Sequence, residues 1–196
     1  MKRTVAVISL IFCLLPLCRA AGDDVLTAIV EAGRRTASLE CEFVQTRHPK
    51  LLNSAIVSKG RMSYRNPDVL VWEYTEPVAL SLTMDGGKVS VVRDGVTEKS
   101  GSGVDRMFSQ IARMVVGGIT GKSLSDRKAF ETVIEEKEGG YVAYMKPLSG
   151  GARGMLSSLV LHFDRKSLGA VRIEIYESSG DKTVIEFRNI KRENFK

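Results

Sequence analysis

Beyond residue 38 the apolar side chains of this chain recur at every second position, in short runs separated by turn residues. That period puts one apolar face on an extended backbone and describes half-buried strands. Leu39, Cys41 and Phe43 alternate with Glu40 and Glu42, while Gly60, Met62 and Tyr64 oppose Lys59, Arg61 and Ser63. A loop at Pro49–Ser54 separates these two runs. After the turn Asn66-Pro67-Asp68, Leu70, Trp72 and Tyr74 share a face, and Glu76-Pro77 opens a fourth run with Leu80, Leu82 and Met84 aligned. Asp85-Gly86-Gly87-Lys88 and Asp94-Gly95 then bound Val89–Arg93, and Val96–Ser100 is the sixth run. Six strands joined by short turns form an antiparallel meander.

Five further strands are predicted at Phe130–Lys137, Tyr141–Pro147, Leu159–Asp164, Val171–Glu177 and Lys182–Ile190. Two segments carry a helical period. Asp23–Ser38 has Val25, Leu26, Ile29 and Val30 on one stripe, with Asp23 or Asp24 as cap. In Val104–Val116 and just beyond, Met107, Phe108, Ile111, Ala112, Val115 and Ile119 share a face, and Gly117-Gly118 is the expected stop. Gly121–Ala129 reads as loop or short helix, and Ser149–Gly154 as a loop. About eleven strands and two main helices predict a mainly β (α+β) fold: a single curved antiparallel sheet with helices covering one face. No repeat or linker divides the chain, so residues 21–196 are expected to form one domain.

Residues 1–20 are set apart. Lys2 and Arg3 precede the apolar stretch Val5–Leu17, and Cys18-Arg19-Ala20 is a small-residue cleavage edge, the layout of a secretory signal. The apolar run falls short of the roughly 20 residues a membrane span needs. A lipid-modified signal would carry small residues before Cys18, where Pro16 and Leu17 stand. Processing removes Lys2, Arg3 and Arg19, so the net charge falls from +6 to +3 and the case for nucleic-acid binding weakens. It also removes Cys13 and Cys18, leaving Cys41 with no intramolecular disulfide partner.

The search for reactive chemistry nominates nothing. Gly117–Ser123 ends like a phosphate-binding loop, but Val116 occupies the position of the first glycine and a helix precedes it where a strand is required. His48 and His162 have no histidine or cysteine at ligand spacing, so no metal is expected. Cys41 alternates with Leu39 and Phe43 and reads as a small buried hydrophobe. Glu135-Glu136 point to opposite faces of one strand. Arg34, Arg35, Lys59, Arg61, Arg65, Arg106 and Arg113 are dispersed, as solvating charge is. The chain is therefore read as a non-enzyme that needs no cofactor.

The positive signal is an excess of adaptable apolar side chains at alternating positions. Phe43, Met62, Tyr64, Leu70, Trp72, Tyr74, Leu82, Met84, Met145, Phe163, Ile175 and Phe187 come from strands, and Met107, Phe108, Ile111 and Val115 from the second helix. Such residues suit a cavity that repacks around a flexible apolar ligand, and equally an ordinary core. On these residues the chain resembles a known family. Phe43-Val44-Gln45, Gly60–Tyr64, Asn66–Tyr74, Pro77 and Asp85-Gly86-Gly87, followed by Phe108–Met114, Gly121-Lys122-Ser123, Leu161–Asp164 and Gly180–Asn189, are similar to a divergent branch of the periplasmic outer-membrane lipoprotein carriers of the LolA type.

The resemblance implies an unclosed eleven-stranded barrel with a helical lid over an apolar cavity, a periplasmic location and a monomer without catalysis. It implies lipoprotein acyl chains as cargo, an inner-membrane release complex and an outer-membrane receptor. Carriage of another envelope lipid, a glycolipid or acyl-linked pigment, is the alternative, and a structural envelope protein with a filled core is a third reading. The helix Val104–Val116 is the expected lid, with Gly101, Gly103, Gly117 and Gly118 as hinges. One departure stands out: the resemblance places a lid-latching arginine just before the proline of the third-strand turn. Here that residue is Asn66, and Arg65, one position earlier, belongs to the opposite face.

Mass spectrometry of the protein from its native cells should give an N-terminus near Ala21; a diacylated Cys18 would contradict this reading.

Overall fold

The computed structural model describes residues 20–86, 88–93, 96–97, 112, 115–148 and 154–196. The expected signal, most of the expected lid and most of the loop at 149–154 lie outside the described residues. Eleven strands form one antiparallel sheet: β1 Thr36–His48, β2 Ile56–Arg65, β3 Val69–Glu76, β4 Leu80–Asp85, β5 Lys88–Arg93, β6 Val96–Thr97, β7 Phe130–Lys137, β8 Gly140–Pro147, β9 Leu156–Asp164, β10 Ala170–Glu177 and β11 Lys182–Asn194. Their spatial order is β6-β5-β4-β3-β2-β1-β11-β10-β9-β8-β7, so two meanders meet at β1 and β11 and the sheet is not closed into a barrel.

The first four strands keep the alternation read from the sequence. Leu39, Cys41 and Phe43 are buried in β1, Met62 and Tyr64 in β2, Leu70, Trp72 and Tyr74 in β3, and Leu80, Leu82 and Met84 in β4. The residues between them are exposed or half-buried. Over this face lie helix α1 (Ala20–Arg34), a helical stretch α2 whose described run is 115–119, and α3 (Lys122–Ser125). Ile29, Val30, Val115, Val116, Ile119 and Leu124 join the strand residues in one core. The helices pack closely because two glycines permit it: a Cβ at Gly33 would press on the Ile119–Thr120 backbone, and one at Gly121 on Val30.

Several boundaries differ from the sequence reading. α1 ends at Arg34, and Thr36–Ser38 belong to β1; the Thr36 hydroxyl donates to the Ala32 carbonyl at 3.1 Å and closes the helix, while Thr36 already pairs with Asn194. Asp23 sits inside the first turn of α1, not ahead of it as a cap. Glu76 ends β3 by pairing with Lys59, and Pro77, which has no N–H for a ladder, lies in the connection before β4. Gly117-Gly118 do not stop α2. The helix runs through both to 119, and the left-handed residue after it is Gly121, at φ +71°. A Cβ at Gly117 would strike Ser123, whereas one at Gly118 would make ordinary contact with Leu161, so of the two only Gly117 is required by the packing.

β11 also extends past Ile190. The register slips between Glu40 and Glu42 of β1, where Asn189 takes φ +52° and Asn189 Nδ2 donates to Glu42 Oε2 at 2.8 Å. The bulge resets the alternation, which is why the sequence pattern fades there although pairing continues to Asn194.

The outer face of β9–β11 carries one buried carboxylate, Glu174. Lys182 Nζ lies 2.9 Å and Arg172 Nε 3.1 Å from it, the Tyr176 hydroxyl donates at 2.9 Å, and His162 Nε2 is 3.1 Å away. Burial pushes this carboxyl up, but hydrogen bonds from Lys182 and Tyr176 and the charges of Lys182 and Arg172 outweigh it and hold it at about 2. A lowered carboxylate contributes stability above its unfolded value of 4.5 and loses it as pH falls toward 2. Glu174→Gln should therefore cost about 1–3 kcal/mol at pH 7. Urea melts should show the gap from wild type closing between pH 4.5 and 2. A gap independent of pH would contradict the assignment.

Candidate functional site

The inner face of the sheet is a lattice set by strand register. One transverse row runs Leu82, Trp72, Met62, Cys41; a second runs Met84, Leu70, Tyr64, Leu39; a third links Leu80, Tyr74, Gly60, Phe43 and Phe187. Directly opposed residues on a sheet lie about 4.5–5.5 Å apart, so each row is a continuous strip of side chains. The aromatic rings meet at its centre. Phe43 stacks on Trp72 at 4.2 Å between centroids, Tyr74 meets Phe43 edge-on at 5.3 Å, and Phe187 meets Trp72 edge-on at 6.2 Å.

Gly60 makes the stack possible. A Cβ there would collide with the Phe43 ring and the Glu73 carbonyl oxygen, so the ring lies against bare backbone.

Thirteen of the sixteen residues selected from the sequence are described, and all thirteen are buried: Phe43, Met62, Tyr64, Leu70, Trp72, Tyr74, Leu82, Met84, Val115, Met145, Phe163, Ile175 and Phe187. Met107, Phe108 and Ile111 lie outside the described residues. The selection passed over Leu159, Leu161, Ile173 and Ile185, which are at most 1 % exposed and fill the same core. Parity with Phe163, Ile175 and Phe187 identifies them; a preference for methionine and aromatic residues does not.

Polar atoms in this wall are few and mostly tied down. The Tyr64 hydroxyl donates to the Pro67 carbonyl at 3.0 Å, and that of Tyr74 to Gln45 Oε1 at 3.0 Å. Burial, aided by the charge of Asp68, pushes the Tyr64 phenol up to about 12. Burial raises the Tyr74 phenol too, with the Trp72 indole and the Gln45 amide acting against it. The Trp72 N–H nevertheless has no well-aligned hydrogen bond among the described residues. Burial and the charge of Glu42 push the Cys41 thiol up to about 12, so almost no thiolate exists at neutral pH and this cysteine is a space-filling group.

The turn that bears the departure from the family pattern is held from another direction. Asn66 Nδ2 donates to the Thr36 carbonyl at 3.1 Å and its backbone N–H to the Ala37 carbonyl at 2.9 Å, tying the turn to the start of β1. Arg65 is exposed on the outer face, as its parity requires. Lys122, the last basic residue of the apparent phosphate-loop motif, opens α3 and approaches Asp68 Oδ1 of the same turn at 3.5 Å. On the outer face a hollow of about 450 Å³ is lined by Glu40, Glu42, Arg61, Glu73, Asn189 and Lys191 among others. Its charged lining suits water and ions, whereas the inner wall suits hydrocarbon.

Among solved structures the chain is similar to a DUF1329 family protein from Desulfovibrio piger (12% identity, TM-score 0.49, covering 89% of this chain and 92% of that one). It is also similar to a LolA superfamily protein from Nitrosomonas europaea (10% identity, TM-score 0.46, 89% and 94%). A third similar structure is the lipoprotein LppX of Mycobacterium tuberculosis (15% identity, TM-score 0.43, 86% and 95%). No curated protein matches the chain. The family model of the outer membrane lipoprotein carrier protein LolA matches residues 34–196, from the end of α1 to the last residue, and the chain belongs to that family.

Proposed function

We propose that the chain is a periplasmic carrier that takes up the acyl chains of lipoproteins against its inner sheet face and conveys them from the inner to the outer membrane. The observation that carries this reading is the wall itself: methionines and stacked aromatics from both meanders converge on one face of an unclosed sheet, under helices. Transfer of an acyl chain out of water is worth about 0.8 kcal/mol per methylene, so a chain of a dozen or more methylenes supplies about 10 kcal/mol. That is ample to offset a few kcal/mol of helix displacement. Val115, Val116 and Ile119 of α2 are buried in the core, so cargo entry requires α2 to lift. An inner-membrane donor and an outer-membrane receptor would set the direction of transfer by binding the closed and open forms unequally. No step of this cycle requires catalysis, a metal or a cofactor.

A second acylated cargo, a glycolipid or acyl-linked pigment, is favoured by one observation. Asn66 stands where the family resemblance implies a latching arginine, and its side-chain amide donates to the Thr36 carbonyl. A carrier without that arginine can accommodate a differently shaped headgroup.

Trp72 is the single tryptophan and lies in the centre of the wall, so cargo reports on itself. Titration with a triacylated lipopeptide, and separately with an acylated glycolipid, should shift Trp72 emission saturably. Met84→Asp and Phe163→Asp, checked for folding by circular dichroism, should weaken binding at least tenfold, and the exposed Val133→Asp should not. Emission unchanged at saturating lipid of both kinds would contradict the carrier reading.

A further inference from the structure

The β1–β2 connection is built in an unusual way for a surface loop. Pro49–Leu52 is a tight turn closed by Leu52 N–H to the Pro49 carbonyl at 3.1 Å. It holds Leu51 at its crest 93 % exposed, with Leu52 also exposed. The turn does not hang free. Asp181, in the β10–β11 turn, accepts the Lys50 backbone N–H at 2.9 Å and Arg47 Nη2 at 2.8 Å, and the Lys50 stem lies against Gly180. These bonds fix the base of the loop while the two leucines stand in water. An apolar crest held out by a rigid base is pre-organised for burial elsewhere, since its ordering cost is met before any contact forms.

The neighbouring loops extend the apolar surface along one rim. The sheet is antiparallel, so the β1–β2, β3–β4 and β5–β6 connections all leave from the same end. Ile56 and Val57 at the start of β2, Val78 between β3 and β4, and Val96 at the start of β6 are all exposed there. Charges of both signs surround the base of the crest. Arg47, Lys50 and Lys59 lie at this end of the sheet, whereas Arg65 ends β2 at the other. Asp181 and Glu76 from adjacent strands answer Arg47 and Lys59, while Lys50 is exposed beside the leucines.

We infer that this rim is a membrane-docking edge, with Leu51 and Leu52 entering the acyl–headgroup boundary of an anionic bilayer while Lys50 meets lipid phosphates. A protruding apolar tip flanked by an exposed lysine matches the layered polarity of a bilayer interface, apolar below and anionic above. The inference rests on the carrier reading only in giving the docked protein a cargo to collect or deliver. The tip is on the rim, and the cargo wall is the inner face, so each can be disabled alone.

Flotation of the mature protein with vesicles of phosphatidylethanolamine and phosphatidylglycerol tests it. Wild type should co-float, and Leu51→Asp with Leu52→Asp should reduce the bound fraction about tenfold or more. Lys50→Glu should weaken binding to anionic vesicles about fivefold, with less effect on phosphatidylcholine vesicles. Val133→Asp, an exposed apolar change away from the rim, should bind as wild type does. In the double variant, uptake of soluble triacylated lipopeptide, read by Trp72 emission, should be unchanged. Failure of wild type to co-float, or equal flotation of the double variant, overturns the inference and leaves the tip to a protein partner. Loss of lipopeptide uptake together with flotation also overturns it, because the leucines would then belong to the cargo mouth. Flotation that depends on the tip, in a protein taking up no lipopeptide, supports docking and removes the carrier reading instead.

Discussion

The architecture depends on the pairing of β1 with β11. Every other neighbour in the sheet is a hairpin or meander partner close in sequence, and such contacts form with little loop-closure entropy. β1 and β11 instead join Thr36 to Asn194 and His48 to Lys182, and so weld two independent meanders into one surface. The inner wall spans this seam: Phe43 of β1 pairs with Phe187 of β11, and Trp72 contacts both. Without the seam there would be two small sheets, each with an apolar face and neither wide enough to shelter an acyl chain. The bulge at Asn189 is part of the same device. It accommodates a register slip in a pair of 13-residue strands, and Glu42 holds it by a side-chain hydrogen bond.

Much of this was legible in the sequence because a strand with one wet face writes its orientation as strict alternation. The parity of Leu39–Phe43, Leu70–Tyr74 and Leu80–Met84 predicted the inner face residue by residue, and the turn residues placed most strand ends. What escaped was governed by contacts distant in sequence. Thr36 leaves the helical pattern because Asn194 pairs with it, and β11 outruns its own alternation because a bulge resets it. Gly117 and Gly118 look like a helix stop, yet the helix runs through both, and Ser123 needs the space that Gly117 leaves. The buried face was legible in the same measure. Parity found the wall, whereas choosing by residue type omitted Leu159, Leu161, Ile173 and Ile185, whose packing is equally complete.

The two faces of the sheet divide the work. Outward, charges are solvated or, at Glu174, buried with a full set of donors. Inward, hydroxyls and the thiol are neutralised by burial or hydrogen bonding, leaving a surface with little to offer but dispersion and desolvation. Such a wall does not discriminate among acyl chains by their chemistry. In the proposed carrier, selectivity then falls to the headgroup. The covered wall and the apolar rim also have opposite physical logic. One keeps a large apolar surface buried under helices, and the other keeps a small apolar surface permanently out.

The most direct test of the account is to locate bound hydrocarbon chemically. A fatty acid carrying a diazirine along its chain, loaded into the mature protein and photolysed, should label peptides of the inner wall, foremost those containing Met62, Met84 and Met145, and unlabelled fatty acid should compete. Labelling confined to the outer face, or spread over the surface without competition, would show that the buried wall is a closed core and contradict the account.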